Sequence, residues 1–226
     1  MFLNKTHITD AAISTYRSAL RSSTPNHIVI DGLFNEAVLD AVLGALHQPQ
    51  YWQRQRHTYS ELYVDNTDWL QAQSEERFVQ RDMWQAPDDD CSIASDFIAF
   101  LRSDPFMAVL SRIFRVHITD IHVADPSINT NYFRLSADDF VEQHADDSPG
   151  REVCLLLYLN KNWESDTGGE LEFLGQNDKP ISISPLYNRC VLFAPASTGA
   201  EHWVRRVRVE GTSVFRYNVT SWYWTE

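Results

Sequence analysis

The chain has 226 residues, 43% of them hydrophobic and 12% aromatic, and its 31 acidic against 19 basic side chains give a formal net charge of −12. That excess of acid argues against a nucleic-acid backbone or an anionic membrane as the main partner. The composition is that of a folded domain, and the longest apolar runs are strand-sized, too short to cross a bilayer as a helix.

The N-terminal stretch MFLNKTHITDAA shows no basic region followed by an apolar core, so no secretory signal is expected. Residues 7–21 carry helical spacing (Ile8, Ala11, Ile13, Tyr16, Leu20), with Thr9 or Asp10 as the cap. HIVIDGLF (27–34) reads as a strand ending in Gly32. Asn35 then caps a second helix, EAVLDAVLGALHQ, whose Val38, Leu39, Val42, Leu43 and Leu46 form one broad apolar stripe. Both helices are expected to cover one face of a sheet.

Residues 51–84 interleave aromatic side chains with arginines and show no sustained period. Such a segment predicts a long binding loop or lid, or else a loop anchored by its rings. Asp88-Asp89-Asp90 reads as a solvated turn. Two short helices are expected at 93–102 and 105–115, with Pro105 in a first-turn position. From about residue 117 short strands take over, near 117–122, 128–135, 140–145, 152–160, 170–174, 180–184, 189–194, 202–209 and 212–224. Short strands at this spacing predict a sandwich or barrel, here a jelly roll of two facing sheets. No linker separates the two parts. The expected whole is therefore one α+β, mainly β domain over 1–226: helical support and loop over 1–116, a double-stranded β-helix over 117–226. Cys154 and Cys190 fall in the strands and read as inert buried thiols. With Cys91 they make an odd number without metal-finger spacing, which fits a reducing, cytoplasmic compartment.

The chemistry gathers between Tyr132 and Leu174. His144 and Asp146 are two residues apart, and in extended backbone such residues share a face. A lone His-x-Asp arises by chance in a chain with 8 His and 31 acids. It gains weight from His202, the best candidate for a third ligand on a neighbouring strand. Two imidazoles and one carboxylate on one side of an ion leave three positions open, the arrangement of non-haem Fe(II) oxygenases.

The surrounding motifs extend this. They run from Asp139-Phe140-Val141, ahead of His144-x-Asp146, through Arg151, Tyr158-Leu159-Asn160, Trp163 and Gly168-Gly169-Glu170-Leu171. Asn188-Arg189-Cys190-Val191-Leu192-Phe193, His202-x-Val204 and Arg216-Tyr217-x-Val219-Thr220-x-Trp222-Tyr223 follow. In this order they resemble the Fe(II)/2-oxoglutarate dioxygenase superfamily, in its prolyl-hydroxylase-like branch. The resemblance implies that His144, Asp146 and His202 bind iron and that Arg216 holds the distal carboxylate of 2-oxoglutarate. Tyr158 and Thr220 would assist Arg216, and Tyr132 and Trp222 would line the pocket. It also implies Fe(II), 2-oxoglutarate and O2 as cofactor and co-substrates, with ascorbate a candidate reductant. The expected reaction hydroxylates a C–H bond of a prolyl or similar residue in a protein or peptide, releasing succinate and CO2. A hydroxylase of a free amino acid or small natural product is the alternative. A non-catalytic metal- or 2-oxoglutarate-binding sensor is the alternative of a different class. Alternation along the last strand puts Arg216, Thr220 and Trp222 on one face. If Glu210-Gly211-Thr212 forms a turn, His202 and Arg216 are expected on paired strands.

Overall fold

Thr9 caps α1 (Asp10–Ser22), its side chain accepting from the Ala12 amide. Asn35 caps α2 (Glu36–Leu46) in the same way through the Val38 amide. These features come from a computed structural model of the chain that describes residues 1–86, 92–119, 129–177, 179–208 and 214–225. Between the two helices lies β1 (His27–Asp31). Then follow β2 (Trp52–Thr58), the short α3 (Asn66–Gln71) and β3 (Arg77–Trp84). The next pair is α4 (Ile93–Leu101) and α5 (Asp104–Phe114), with Pro105 in the first turn of α5 as its fixed φ favours.

The remaining strands are β4 (Thr130–Leu135), β5 (Phe140–His144), β6 (Arg151–Tyr158), β7 (Leu171–Gln176), β8 (Lys179–Ile183), β9 (Arg189–Phe193), β10 (His202–Val204) and β11 (Arg216–Trp224). All pair antiparallel, in the order β1-β9-β6-β11-β4-β3-β5-β10-β7-β8, with β2 on the side of β3. β3 turns the corner. Its Asp82 and Met83 pair with β4, while its Val79 and Gln80 pair with β5, so one curled sheet closes into two facing halves. This is the jelly roll that the strand spacing predicts.

Strand alternation separates two cores. On β6, Val153, Leu155 and Leu157 meet the helices through Ile13, Leu39, Val42, Phe97 and Leu110. Their neighbours Cys154 and Tyr158 point the other way, onto Leu171, Phe173 and Ile183 of the opposite half. β6 is buried on both faces, which is why its sequence is a continuous apolar run. Each fully buried Leu, Val or Phe contributes about 1.5–3 kcal/mol to this arrangement.

Three expectations are corrected. The segment 51–84 is mainly a pair of strands, β2 and β3, in register from Trp52↔Trp84 to Thr58↔Arg77. With β1, these strands place part of the N-terminal half inside the sheet itself. Second, His202 and Arg216 are not on paired strands: β10 lies between β5 and β7, whereas β11 lies between β4 and β6. Consecutive strands of a jelly roll switch sheets, so nearness in sequence does not imply pairing. Third, the strand expected at 202–209 is only three residues long, and Val207 makes an isolated bridge to Gly168. Asp88-Asp89-Asp90, Cys91, the Glu210-Gly211-Thr212 turn and residues 120–122 of the strand expected at 117–122 lie outside the described residues.

Candidate active site

His144 is the last residue of β5 and His202 the first of β10, and the two are register partners. Their rings are 4.3 Å apart between centroids. Asp146 follows two residues beyond β5. One ligand atom from each of the three lies within 4.8 Å of the others.

Each imidazole is oriented by a backbone carbonyl. His144 Nδ1 is 2.9 Å from the Glu142 oxygen, and His202 Nδ1 is 3.0 Å from that of Ala200. Such contacts fix the tautomer and turn the Nε2 lone pair toward the common point. Asp146 is held by two side chains. Arg151 donates to both its main-chain and side-chain oxygens (2.9 and 3.1 Å), and Trp222 Nε1 donates to Oδ2 at 2.8 Å.

The protonation states suit a metal. Burial pushes His202 down to about 4, and neighbouring His144 adds to the effect. Burial works to raise the Asp146 carboxyl, but His144, His202, Arg151 and Trp222 outweigh it and hold the group below its ordinary range. The neutral His202 imidazole beside an ionised carboxylate suits a divalent iron, and a donor set of two His and one Asp fits that ion. His57, against the same site, is also driven down, to about 3, first by burial and then by Arg81 and His144.

These depressed values make stability depend on pH. Both histidines are neutral in the folded protein down to about pH 4 and 3, whereas unfolded histidine takes a proton near 6.5. The stability they contribute is therefore complete above pH 6.5 and lost as pH falls toward 4. For His202 alone the loss at pH 5 should be on the order of 1–2 kcal/mol. A thermal melt of the metal-free protein should move down between pH 7 and pH 5. An unchanged Tm would show that the two rings are not buried as neutral groups.

Arg216 opens β11 and is 2% exposed. Nε donates to the Gly169 carbonyl at 2.6 Å and Nη1 to Asn218 Oδ1 at 2.8 Å, while the guanidinium lies 4.9 Å from the Tyr158 ring centroid. Gly169 makes room for it: at φ +76°, a Cβ there would sit 3.1 Å from Arg216 Cδ and 3.0 Å from Trp163. Asn218 in turn donates to Thr220 Oγ1 at 2.9 Å. Arg216, Thr220 and Trp222 face one cavity together with His144, Asp146 and His202, as strand alternation predicts. The Tyr158 hydroxyl is buried and donates to no acceptor among the described residues, and burial pushes its pKa up to about 12 although neighbouring Arg216 works against it. A protonated phenol with nothing to donate to is suited to a ligand oxygen.

Tyr132 does not join this cavity. It pairs with Val219, on the helix-facing side of β11, and its hydroxyl donates to the Ala94 carbonyl at 2.8 Å. The inward positions of β4 are those opposite Arg216, Asn218 and Thr220, namely Leu135, Phe133 and Asn131. The sequence also leaves out Arg81 and His57, which the structure brings to the site from the misread 51–84 segment. An open cleft of about 720 Å³ leads outward from His144 and Asp146, lined by residues 57–63, Phe78, Arg81, Arg151, Trp222 and Trp224.

Comparison with known proteins agrees with this geometry. Residues 129–224 match the family model described as the 2OG-Fe(II) oxygenase superfamily. A mouse protein named prolyl 3-hydroxylase OGFOD1 is 27% identical over 135 residues, 54% of this chain and 24% of its own length. The chain thus spans about a quarter of that relative. Among solved structures, a prolyl-4-hydroxylase from Pseudomonas putida superposes with a TM-score of 0.68 at 12% identity, covering 94% of this chain and 99% of its own. A Trichoplax adhaerens prolyl hydroxylase, bound to a hypoxia-inducible-factor peptide fragment, superposes with a TM-score of 0.68 at 18% identity, covering 95% and 89%. Over residues 129–224, a span that carries both histidines, Asp146 and Arg216, the chain is similar to the 2OG-Fe(II) oxygenase superfamily.

Proposed function

We propose that the protein is an Fe(II)- and 2-oxoglutarate-dependent dioxygenase that hydroxylates a prolyl or similar residue of a protein or peptide. The observation that carries the reading is the convergence of His144, Asp146 and His202 in a cavity that also holds Arg216. Bound iron would supply O2 activation, coupling decarboxylation of 2-oxoglutarate to succinate and CO2 with insertion of one oxygen atom into a C–H bond.

The chain's own residues do the rest. His144 and His202 offer neutral nitrogen, and Asp146 offers a carboxylate that lowers the charge of the site without filling it. Arg151 and Trp222 keep that carboxylate in place. Arg216 presents a planar fork suited to a carboxylate, with Thr220 and Tyr158 as neighbouring hydroxyls. Asp146 favours hydroxylation over halogenation, because halide chemistry on this scaffold needs the carboxylate position vacant. The peptide class of substrate is supported by the named activities of the relatives and by a cleft wide enough for a chain segment. Tyr59, Leu62 and Tyr63, each more than half exposed, stand along its lip.

Mass spectrometry of cell extract treated with the protein, Fe(II) and 2-oxoglutarate tests this. Peptides that gain one oxygen on proline are the expected result, and a gain confined to free amino acids would favour the small-molecule alternative. Gly169 gives a second check. Gly169→Ala adds a methyl group at a left-handed φ and against Arg216, so the guanidinium must shift. A displacement of about 1 Å in a positioning group costs on the order of a hundredfold. We expect the 2-oxoglutarate Kd to rise at least tenfold by calorimetry, with Fe(II) binding retained.

A further inference from the structure

Two guanidinium groups reach the inner cavity, and the reading above uses only one. Arg216 closes the end. Arg81, from β3, stands where the cavity meets the open cleft, lining both, a position it shares with Val141, His144, Asp146 and Trp222. It is held rather than free: Nε donates to Gln55 Oε1 at 2.6 Å, and the guanidinium lies 3.5 Å from the centroid of the Phe133 ring. Gln55 is itself buried. Yet Arg81 forms no ion pair among the described residues, whereas Arg54, Arg134 and Arg151 each have a carboxylate. Arg81 is part-buried and fixed in place, and the acid whose charge acts on it is Asp146, which the reading above gives to the metal. Burial pulls its pKa down to about 10 against the raising effect of Tyr63 and Asp146, and the group stays charged at neutral pH.

Something anionic therefore completes it. 2-Oxoglutarate is already provided for, since Arg216 and the metal would receive its two carboxylates. The remaining approach to Arg81 is from the cleft. We propose that Arg81 receives a carboxylate of the primary substrate, presented from the cleft next to the C–H bond that is oxidised. This rests on the dioxygenase reading of the site. The carboxylate belongs either to an acidic residue flanking the target in a peptide or to the α-carboxyl of a free amino acid. The chemistry at Arg81 is the same.

The test uses the full chain loaded with Mn(II) and 2-oxoglutarate, with the fluorescence of Trp222 and Trp224 in the cleft wall as readout. The probes are proline-centred peptides with a flanking Glu or Gln, and L-proline against L-prolinamide. In one pair, wild type should bind the carboxylate at least about tenfold tighter than the amide, the worth of a charge-assisted contact. The pair that shows this identifies the source. Arg81→Gln should erase the preference, and Arg81→Lys should keep part of it, with 2-oxoglutarate affinity unchanged in both and melting curves as a check on folding. The assignment is overturned if neither pair shows a preference or if the preference survives in Arg81→Gln. It is also overturned if Arg81→Gln weakens 2-oxoglutarate as much as the probes, which would give the residue to the co-substrate. A wild type that favours a carboxylate probe yet binds no 2-oxoglutarate would sink the dioxygenase reading and leave the Arg81 assignment standing.

Discussion

Asp146→Ala should abolish succinate production and leave the fold intact. The carboxylate is the only anionic donor of the trio, and even groups that merely orient a metal ligand are worth about 10–100-fold in affinity. Fe(II) binding should therefore fall by at least about a hundredfold. The fold should survive because Asp146 lies beyond the end of β5, outside the apolar clusters, and its loss releases Arg151, Trp222 and the Cys154 thiol. His144→Ala and His202→Ala should be comparably inactive, and a double variant no worse, since ligands of one metal act as a unit. Asp146→Glu separates geometry from charge: it keeps the anion but pushes the oxygen inward by about 1 Å, enough for on the order of a hundredfold in rate. Other acids cannot take over. Asp139 is committed to Arg54 and to the Ser136 amide and hydroxyl, and Asp147 is exposed. Near-normal succinate formation in Asp146→Ala would overturn the ligand assignment.

Arg216→Ala should raise the 2-oxoglutarate Kd by about a hundredfold or more while Fe(II) still binds. Removing one partner of a buried charge pair costs about 3–5 kcal/mol, because the other is left desolvated and unpaired. The nearest substitutes are engaged elsewhere. Arg134 is paired with Asp82 at 3.0 Å, and Arg205 lies beside Glu170 and Glu172. Calorimetry with the Mn(II)-loaded protein reads the change. Equal affinity in variant and wild type would move the anchoring role to another cation, with Arg81 the first to examine.

What could be read in the sequence followed from local periodicity. The His144-x-Asp146 spacing and the Arg216, Thr220, Trp222 alternation needed only the two-residue period of a strand, and both hold. The helix starts were legible because Thr9 and Asn35 act on their own first turns. Tyr132 was misplaced because a shift of one residue along a strand reverses the face, and only the pairing with Val219 reveals which face it has. β2 gave no strand signal because it is an edge strand rich in long polar side chains. Arg54 reaches Asp82 and Asp139, and Arg56 stacks on Trp69, so its order comes from ion pairs and rings rather than apolar alternation. That error hid Arg81, whose surroundings are built by residues distant in sequence: Gln55, Phe133 and Asp146. The pairing of β10 with β5 and β7 was hidden for the same reason, since sheet order in a jelly roll is a property of the closed fold.

The measurement that tests the central claim most directly follows the two atoms of heavy-isotope O2 during turnover with Fe(II), 2-oxoglutarate and a proline-containing peptide that the protein oxidises. If His144, Asp146, His202 and Arg216 build a 2-oxoglutarate dioxygenase, one labelled atom enters succinate and the other enters the hydroxylated peptide, in equal amounts, and Asp146→Ala yields neither. Peptide hydroxylation without labelled succinate, or labelled succinate from Asp146→Ala at the wild-type rate, would contradict it.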